Sequence, residues 1–168
     1  MANVYVSIGS NLARDHNILL CLQLLQAAFS KLRVSKVYET PAEGCNGDPY
    51  LNLVAGFQTN YSPSELKTHC QTIENTCGRI RDSKTRFAPC ALDIDILLYD
   101  DWNLQPDTNI PHRNITQCAF VLYPLAELAP LVWHPLQQCT LQQLADNSLL
   151  SRSTLREYPL TVGLQTLI

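Results

Sequence analysis

The feature that most constrains this chain is the order in which two apolar periodicities alternate along it. Val4-Tyr5-Val6-Ser7-Ile8 is β-branched and loosely alternating, and it ends at Gly9-Ser10-Asn11, so it reads as a strand. From Asn17 to Leu32 the residues Ile18, Leu19, Leu22, Leu25, Ala28, Phe29 and Leu32 recur at intervals of three and four, which predicts an amphipathic helix. Strand character returns over Arg33 to Thr40 and again over Tyr50 to Thr59. Between them, Pro41 to Pro49 is rich in Pro, Gly, Asn and Asp and reads as an irregular loop. Ser62-Pro63-Ser64-Glu65 opens a second helix with an N-cap, a proline at the first helical position and a capping box. Its apolar face, Leu66, Cys70, Ile73 and Cys77, runs to a stop at Gly78. Leu92 to Tyr99 is the next strand, and shorter helices are expected over Cys118 to Leu128 and around Leu141 to Leu150.

Strand, helix, strand, strand, helix, strand is the split βαβ order of a ferredoxin-like α+β sandwich, with helices over one face of a largely antiparallel sheet. The 168 residues suit one domain, read as residues 1–168 with a short helical C-terminal extension from about residue 140. With 12 basic against 15 acidic residues there is no field to recruit nucleic acid or an anionic membrane, so the expected partner is a small molecule. The N-terminus has neither the charged start nor the apolar run of a signal peptide, and a cytoplasmic location is expected. Seven cysteines form no CxxC pair and cannot all pair within one chain, so Cys21, Cys70 and Cys77 read as small hydrophobes.

Asp93 and Asp95 are the sharpest local feature. Residues two apart in a strand share a face, so both carboxylates would project together, and a hard cation is the natural remedy for their repulsion. Magnesium fits, because it commonly bridges carboxylates to substrate phosphates. Taken alone, the pair is more often the mark of a solvated strand edge. The nearby segment Arg79 to Arg86 holds four cations, which suits a polyphosphate or an ordinary solvated loop. His112 reads as a structural hydrogen-bonding residue or a phosphate ligand, and Tyr50, Phe87 and Phe120 as core aromatics or stacking partners for a flat heterocycle.

Eight ordered segments then carry a resemblance over nearly the whole chain: SIGSNL, YETPAEG, PYLN, QTIE, GRIR, RFAP with LDIDILLYDD, IPH and FVLYPLAELAP. Together they resemble the hydroxymethyldihydropterin pyrophosphokinase family. The resemblance implies a ferredoxin-like fold that transfers diphosphate from MgATP to the hydroxymethyl group of a reduced pterin and releases AMP. It further implies that Asp93 and Asp95 hold two magnesium ions, with Arg79 as a further catalytic residue. Thr40, Pro41, Tyr50, Asn52 and Phe120 would line the pterin pocket. Gln71, Glu74, Arg79, Arg81, Lys84, Ile96 and His112 would surround the nucleotide. The partners implied are ATP and the pterin, without nucleic acid or membrane, and the chain would act as a monomer.

Two departures stand out against that resemblance. Where the family carries phosphate-directed arginines, this chain has Cys90, followed by Ala91, and Cys118. Neither thiol supplies a charged bidentate donor. Slow turnover is therefore expected, even with partial compensation by Arg86 or Arg113. The alternative is a paralogue that binds pterin or nucleotide with little or no turnover.

Overall fold

The computed structural model describes residues 1–42, 47–81 and 88–160. The elements run β1 (Ala2–Ser10), α1 (Arg14–Ala28), β2 (Ser30–Val34), β3 (Tyr38–Thr40), β4 (Tyr50–Thr59), α2 (Pro63–Thr76) and β5 (Asp93–Tyr99). There follow α3 (Asn114–Gln117), α4 (Ala119–Leu128), β6 (Trp133–His134), β7 (Cys139–Thr140), α5 (Leu141–Asp146) and β8 (Arg156–Glu157). The main sheet has the order β5-β1-β4-β3-β8, with β2 also paired to β4, and β6 with β7 forms a separate hairpin. Its strand pairs are antiparallel, and the order of its first five strands in space is that of the ferredoxin-like sandwich.

Three expectations about single elements change. The first helix ends at Ala28, not Leu32, because Phe29 turns to extended backbone and stacks its ring on Phe57 at 4.3 Å. The apolar spacing continues to Leu32 because Leu32 reaches the same core from β2. The strand read as Arg33 to Thr40 is two strands, parted at Ser35. That residue's N–H donates to the Val54 carbonyl, and its hydroxyl accepts from the Val54 N–H, both at 2.9 Å. The helix expected to reach Leu150 stops at Asp146, and the tail beyond it returns to the sheet as β8.

The sheet is covered on both faces, not one. Val4, Val6, Ile8, Leu51, Leu53 and Ile94 belong to the first core, with Ile18, Leu22 and Leu25 of α1 and Leu66 and Ile73 of α2. Tyr5, Val54, Leu97 and Leu98 belong to a second core beneath Val121, Leu122 and Leu125 of α4. Burying a side chain of this size contributes on the order of 1.5–3 kcal/mol, so an apolar second face needed its own helices. One irregularity separates the roles of β5. Val6 pairs with Ile96 and Tyr5 with Leu98, so the ladder passes over Leu97 in a bulge. Before it, Asp93 and Asp95 face the second side; after it, Leu97 and Leu98 both join the second core.

Candidate active site

α4 covers only part of the second face, and the site occupies the rest. Across the ladder Asp93 lies beside Gly9 and Gly9 beside Asn52, while Asp95 lies beside Ser7. Cross-strand neighbours share a face, so these side chains project together. Gly9 is the low point of this floor: a Cβ there would come within 3.2 Å of Asn52 Oδ1. Asn52 is buried, and its Nδ2 donates to Thr40 Oγ1 at 2.8 Å.

Two cavities meet at the carboxylate pair. A cavity of about 250 Å³ is lined by Thr40, Pro41, Tyr50, Asn52 and Phe120 together with Asp93 and Asp95. All five residues expected around a pterin are thus brought together. A larger one, about 760 Å³, is lined by Gln71, Glu74, Arg81, Ile96 and His112, again with Asp93 and Asp95. Five of the seven residues expected around a nucleotide are therefore on its walls. Arg79 sits beside the pair, its Nη1 donating to Asp93 Oδ1 at 2.9 Å and to the Leu92 carbonyl at 2.8 Å. Lys84, with Arg86 and Phe87, lies outside the described residues.

The electrostatics follow from burial. Burial pushes the Asp95 carboxyl above the ordinary aspartate range, and the neighbouring Asp93 charge pushes the same way. Burial lowers His112, against the pull of Asp95. Its Nδ1 accepts the Asn114 N–H at 3.2 Å, which leaves the ring proton on Nε2, 3.8 Å from Asp95 Oδ1. Glu74 is raised by burial too, opposed by the Ile94 N–H that it accepts at 2.7 Å and by Arg81, to which it is ion-paired. Burial pushes Cys70 up to about 12, in keeping with its reading as a small hydrophobe.

Sequence reasoning missed the residues that hold the site in shape. Ser10 Oγ donates to the Ala91 carbonyl at 2.7 Å, and Asn11 Oδ1 accepts the Cys90 N–H at 2.6 Å. Asn11 Nδ2 also reaches the Asp48 carbonyl at 3.3 Å, so one buried side chain ties together segments flanking both cavities. The SIGSN run carried the signal, read there only as strand punctuation. Lys67, Trp102, Leu104 and Ile110 also line the larger cavity, and no local pattern marks them. The two departures behave differently. Cys90 Sγ accepts from Arg79 Nη1 at 3.0 Å, whereas Cys118 packs against the second core. Arg113 is exposed at the start of α3, and neither cavity's lining includes it.

Adjoining cavities that share one acidic pair are what a transferase with two substrates requires, since donor and acceptor must meet where charge is handled. Comparison with known proteins narrows that class. The family model for 7,8-dihydro-6-hydroxymethylpterin-pyrophosphokinase matches residues 5–130, and the chain belongs to this family. A 2-amino-4-hydroxy-6-hydroxymethyldihydropteridine pyrophosphokinase of Pseudomonas aeruginosa is 40% identical over 135 residues, covering 76% of this chain and 80% of that one. Its counterpart from Aquifex aeolicus is 34% identical over 146 residues, covering 85% and 90%. The fold matches the crystal structure of a Plasmodium falciparum HPPK-DHPS triple mutant with pteroate, with a TM-score of 0.70 at 13% identity. That alignment covers 93% of this chain and 46% of the other, so the chain spans less than half of the Plasmodium protein.

Proposed function

We propose that this chain transfers diphosphate from ATP to the hydroxymethyl group of 6-hydroxymethyl-7,8-dihydropterin, releasing AMP, as a pyrophosphokinase of folate biosynthesis. The observation that carries the reading is the junction of the two cavities at Asp93 and Asp95. The smaller takes the pterin: Tyr50 and Phe120 offer ring faces, and the Asn52 amide with Thr40 reads the heterocycle's polar edge. The larger takes ATP, with Gln71 and Ile96 on its walls and the triphosphate directed toward Arg81, His112 and the carboxylates.

The acidic pair fits magnesium. Among the described residues no group of three or more His, Cys, Asp or Glu side chains forms a closed cage. Two adjacent carboxylates with open space on either side suit a hard cation that completes its shell with phosphate oxygens and water. Asp93 and Asp95 would hold it, as two ions in our reading, and when bound it neutralises charge on the phosphate oxygens. Arg79 is poised to leave Asp93 for a phosphate oxygen, and Lys84 is assigned the same task from the family pattern. His112 presents its Nε2–H to the same place as a neutral donor.

Action as a monomer, with a single domain over residues 1–168, belongs to the same proposal. No helix among the described residues is long and apolar enough to cross a membrane. An odd cysteine count, with Cys21, Cys70 and Cys77 used as buried hydrophobes, supports a reducing cytoplasm. The alternative of a binder without turnover gains nothing from the site, where Arg79, His112 and both carboxylates stand together. The test is direct: purified protein with MgATP and 6-hydroxymethyl-7,8-dihydropterin should release AMP, measured by chromatography. Pterin-dependent AMP that never exceeds the no-enzyme control would overturn the reading.

A further inference from the structure

The family match ends at residue 130, yet the chain continues and comes back to the pterin side of the sheet. β8 adds to the free edge of β3, pairing Glu157 with Tyr38 and Arg156 with Glu39. The next residue fastens it further, the Tyr158 N–H donating to the Val37 carbonyl at 2.8 Å, and Leu160 is buried in the first core. β3 is the strand that delivers Thr40 and Pro41 to the smaller cavity.

The returning tail also completes a cluster centred on Arg14. Its Nη1 lies 2.8 Å from Glu39 Oε2 and donates to the Pro49 carbonyl at 2.9 Å, directly before Tyr50. The guanidinium lies over the Tyr158 ring, 5.1 Å from its centroid, and the Tyr158 hydroxyl donates to Asp15 at 3.0 Å. Arg156 stands 4.0 Å from the other oxygen of Glu39. One arginine thus links β3, the approach to Tyr50 and the tail. An aromatic face beneath the guanidinium limits its freedom to swing away.

We propose that Arg14 and Tyr158 are positioning residues that clamp the pterin-side wall, with the C-terminal tail as the strap that sets it. Neither touches the substrate; they act by fixing Thr40, Pro41 and Tyr50. The proposal rests on the smaller cavity being the pterin site. Consequently the clamp governs the pterin half of the reaction and leaves the ATP half alone, since no member of the cluster lines the larger cavity.

Steady-state KM values for both substrates, together with kcat and Tm, test this in Arg14→Met, Tyr158→Ala, Arg156→Ala and Asn52→Ala. Arg14→Met and Tyr158→Ala are expected to raise the pterin KM by about fivefold, equivalent to ~1 kcal/mol, while the ATP KM and kcat stay within about twofold. Arg156→Ala, an exposed change that should fold whatever the others do, is expected to move the pterin KM in the same direction by about twofold. A merely structural role would lower Tm without separating the two KM values. If Asn52→Ala weakens pterin use but the folded clamp variants leave it unchanged, or shift both KM values together, the clamp is refuted. If Asn52→Ala itself leaves the pterin KM unchanged, the cavity assignment falls, and the clamp with it.

Discussion

Replacing Glu74 by alanine would remove a side chain that holds β5 at the residue between its two carboxylates. Glu74 Oε1 accepts the Ile94 N–H at 2.7 Å, and Ile94 lies between Asp93 and Asp95. The Glu74 side chain is only 3% exposed, so in Glu74→Ala that donor is left without an acceptor in a buried place. A hydrogen bond to a charged group contributes about 1.5–3 kcal/mol, and the ion pair to a half-exposed Arg81 adds at most about 1. Glu74→Ala should therefore lose about 2–4 kcal/mol, lowering Tm by about 5–15 °C for a chain of this size. Glu74→Gln keeps an oxygen for Ile94 and avoids burying a charge, a cost already visible in the raised Glu74 pKa, so it should lose about 1 kcal/mol or less. Activity should follow the same order. A displacement of about 1 Å at a reacting group can cost on the order of 10²-fold, so turnover should fall roughly tenfold or more in Glu74→Ala and much less in Glu74→Gln. Urea denaturation and AMP release measure both. Equal damage in the two variants would show that charge, not the Ile94 hydrogen bond, is what matters; an undamaged Glu74→Ala would refute the reasoning outright.

Asp93→Asn and Asp95→Asn should each lower AMP release by about 10²-fold or more, since each removes half of the acidic pair. Because burial raises the Asp95 carboxyl, Asp95→Asn should leave Tm unchanged or higher, and a melt showing collapse would argue against that account. Cys90→Arg places a guanidinium on the segment that Ser10 and Asn11 hold near Asp93; turnover at saturating substrates should rise by about tenfold, against the ~10³ that a phosphate-directed arginine can contribute. A well-folded Cys90→Arg no faster than the parent sinks the idea that Cys90 limits the rate. His134 is buried, its Nδ1 accepts the N–H groups of Leu136 and Gln137, and burial lowers its pKa. The neutral form is thus favoured by folding: its contribution is present above the ordinary histidine value of 6.5 and is lost as pH falls through the lowered one. Urea midpoints between pH 7.5 and 5 should fall by an amount that His134→Asn reduces, and identical pH profiles for the two proteins would dismiss the assignment.

Much of this was legible because strand and helix periods are local properties. The DxD spacing put both carboxylates on one face, and the capping box at Ser62 and Glu65 forms as read, each partner bonding the other's backbone N–H. What was hidden depends on contacts distant in sequence. Leu32 carries the helical spacing of α1 yet belongs to β2, because a core accepts an apolar side chain from either element. The second helical layer was missed because strands covered on both sides differ only slightly in pattern from strands covered on one. The roles of Ser10 and Asn11 arise from partners about eighty residues away, at Cys90 and Ala91, and no window of sequence contains both ends.

The bulge at Leu97 puts the two ends of one strand out of phase. Upstream, even steps lead from one carboxylate to the other; downstream, the same count would carry a leucine off its proper side. A single inserted residue therefore lets evolution revise the reactive end and the packed end of β5 separately, since neither inherits the other's parity. Deleting Leu97 would couple them again. With the packed end anchored by Leu98 and Tyr99, Ile96 would then stand directly beside Leu98, the ladder with β1 would close without a bulge, and both aspartates would keep their face, leaving six residues that share a single parity from the reactive end to the packed one.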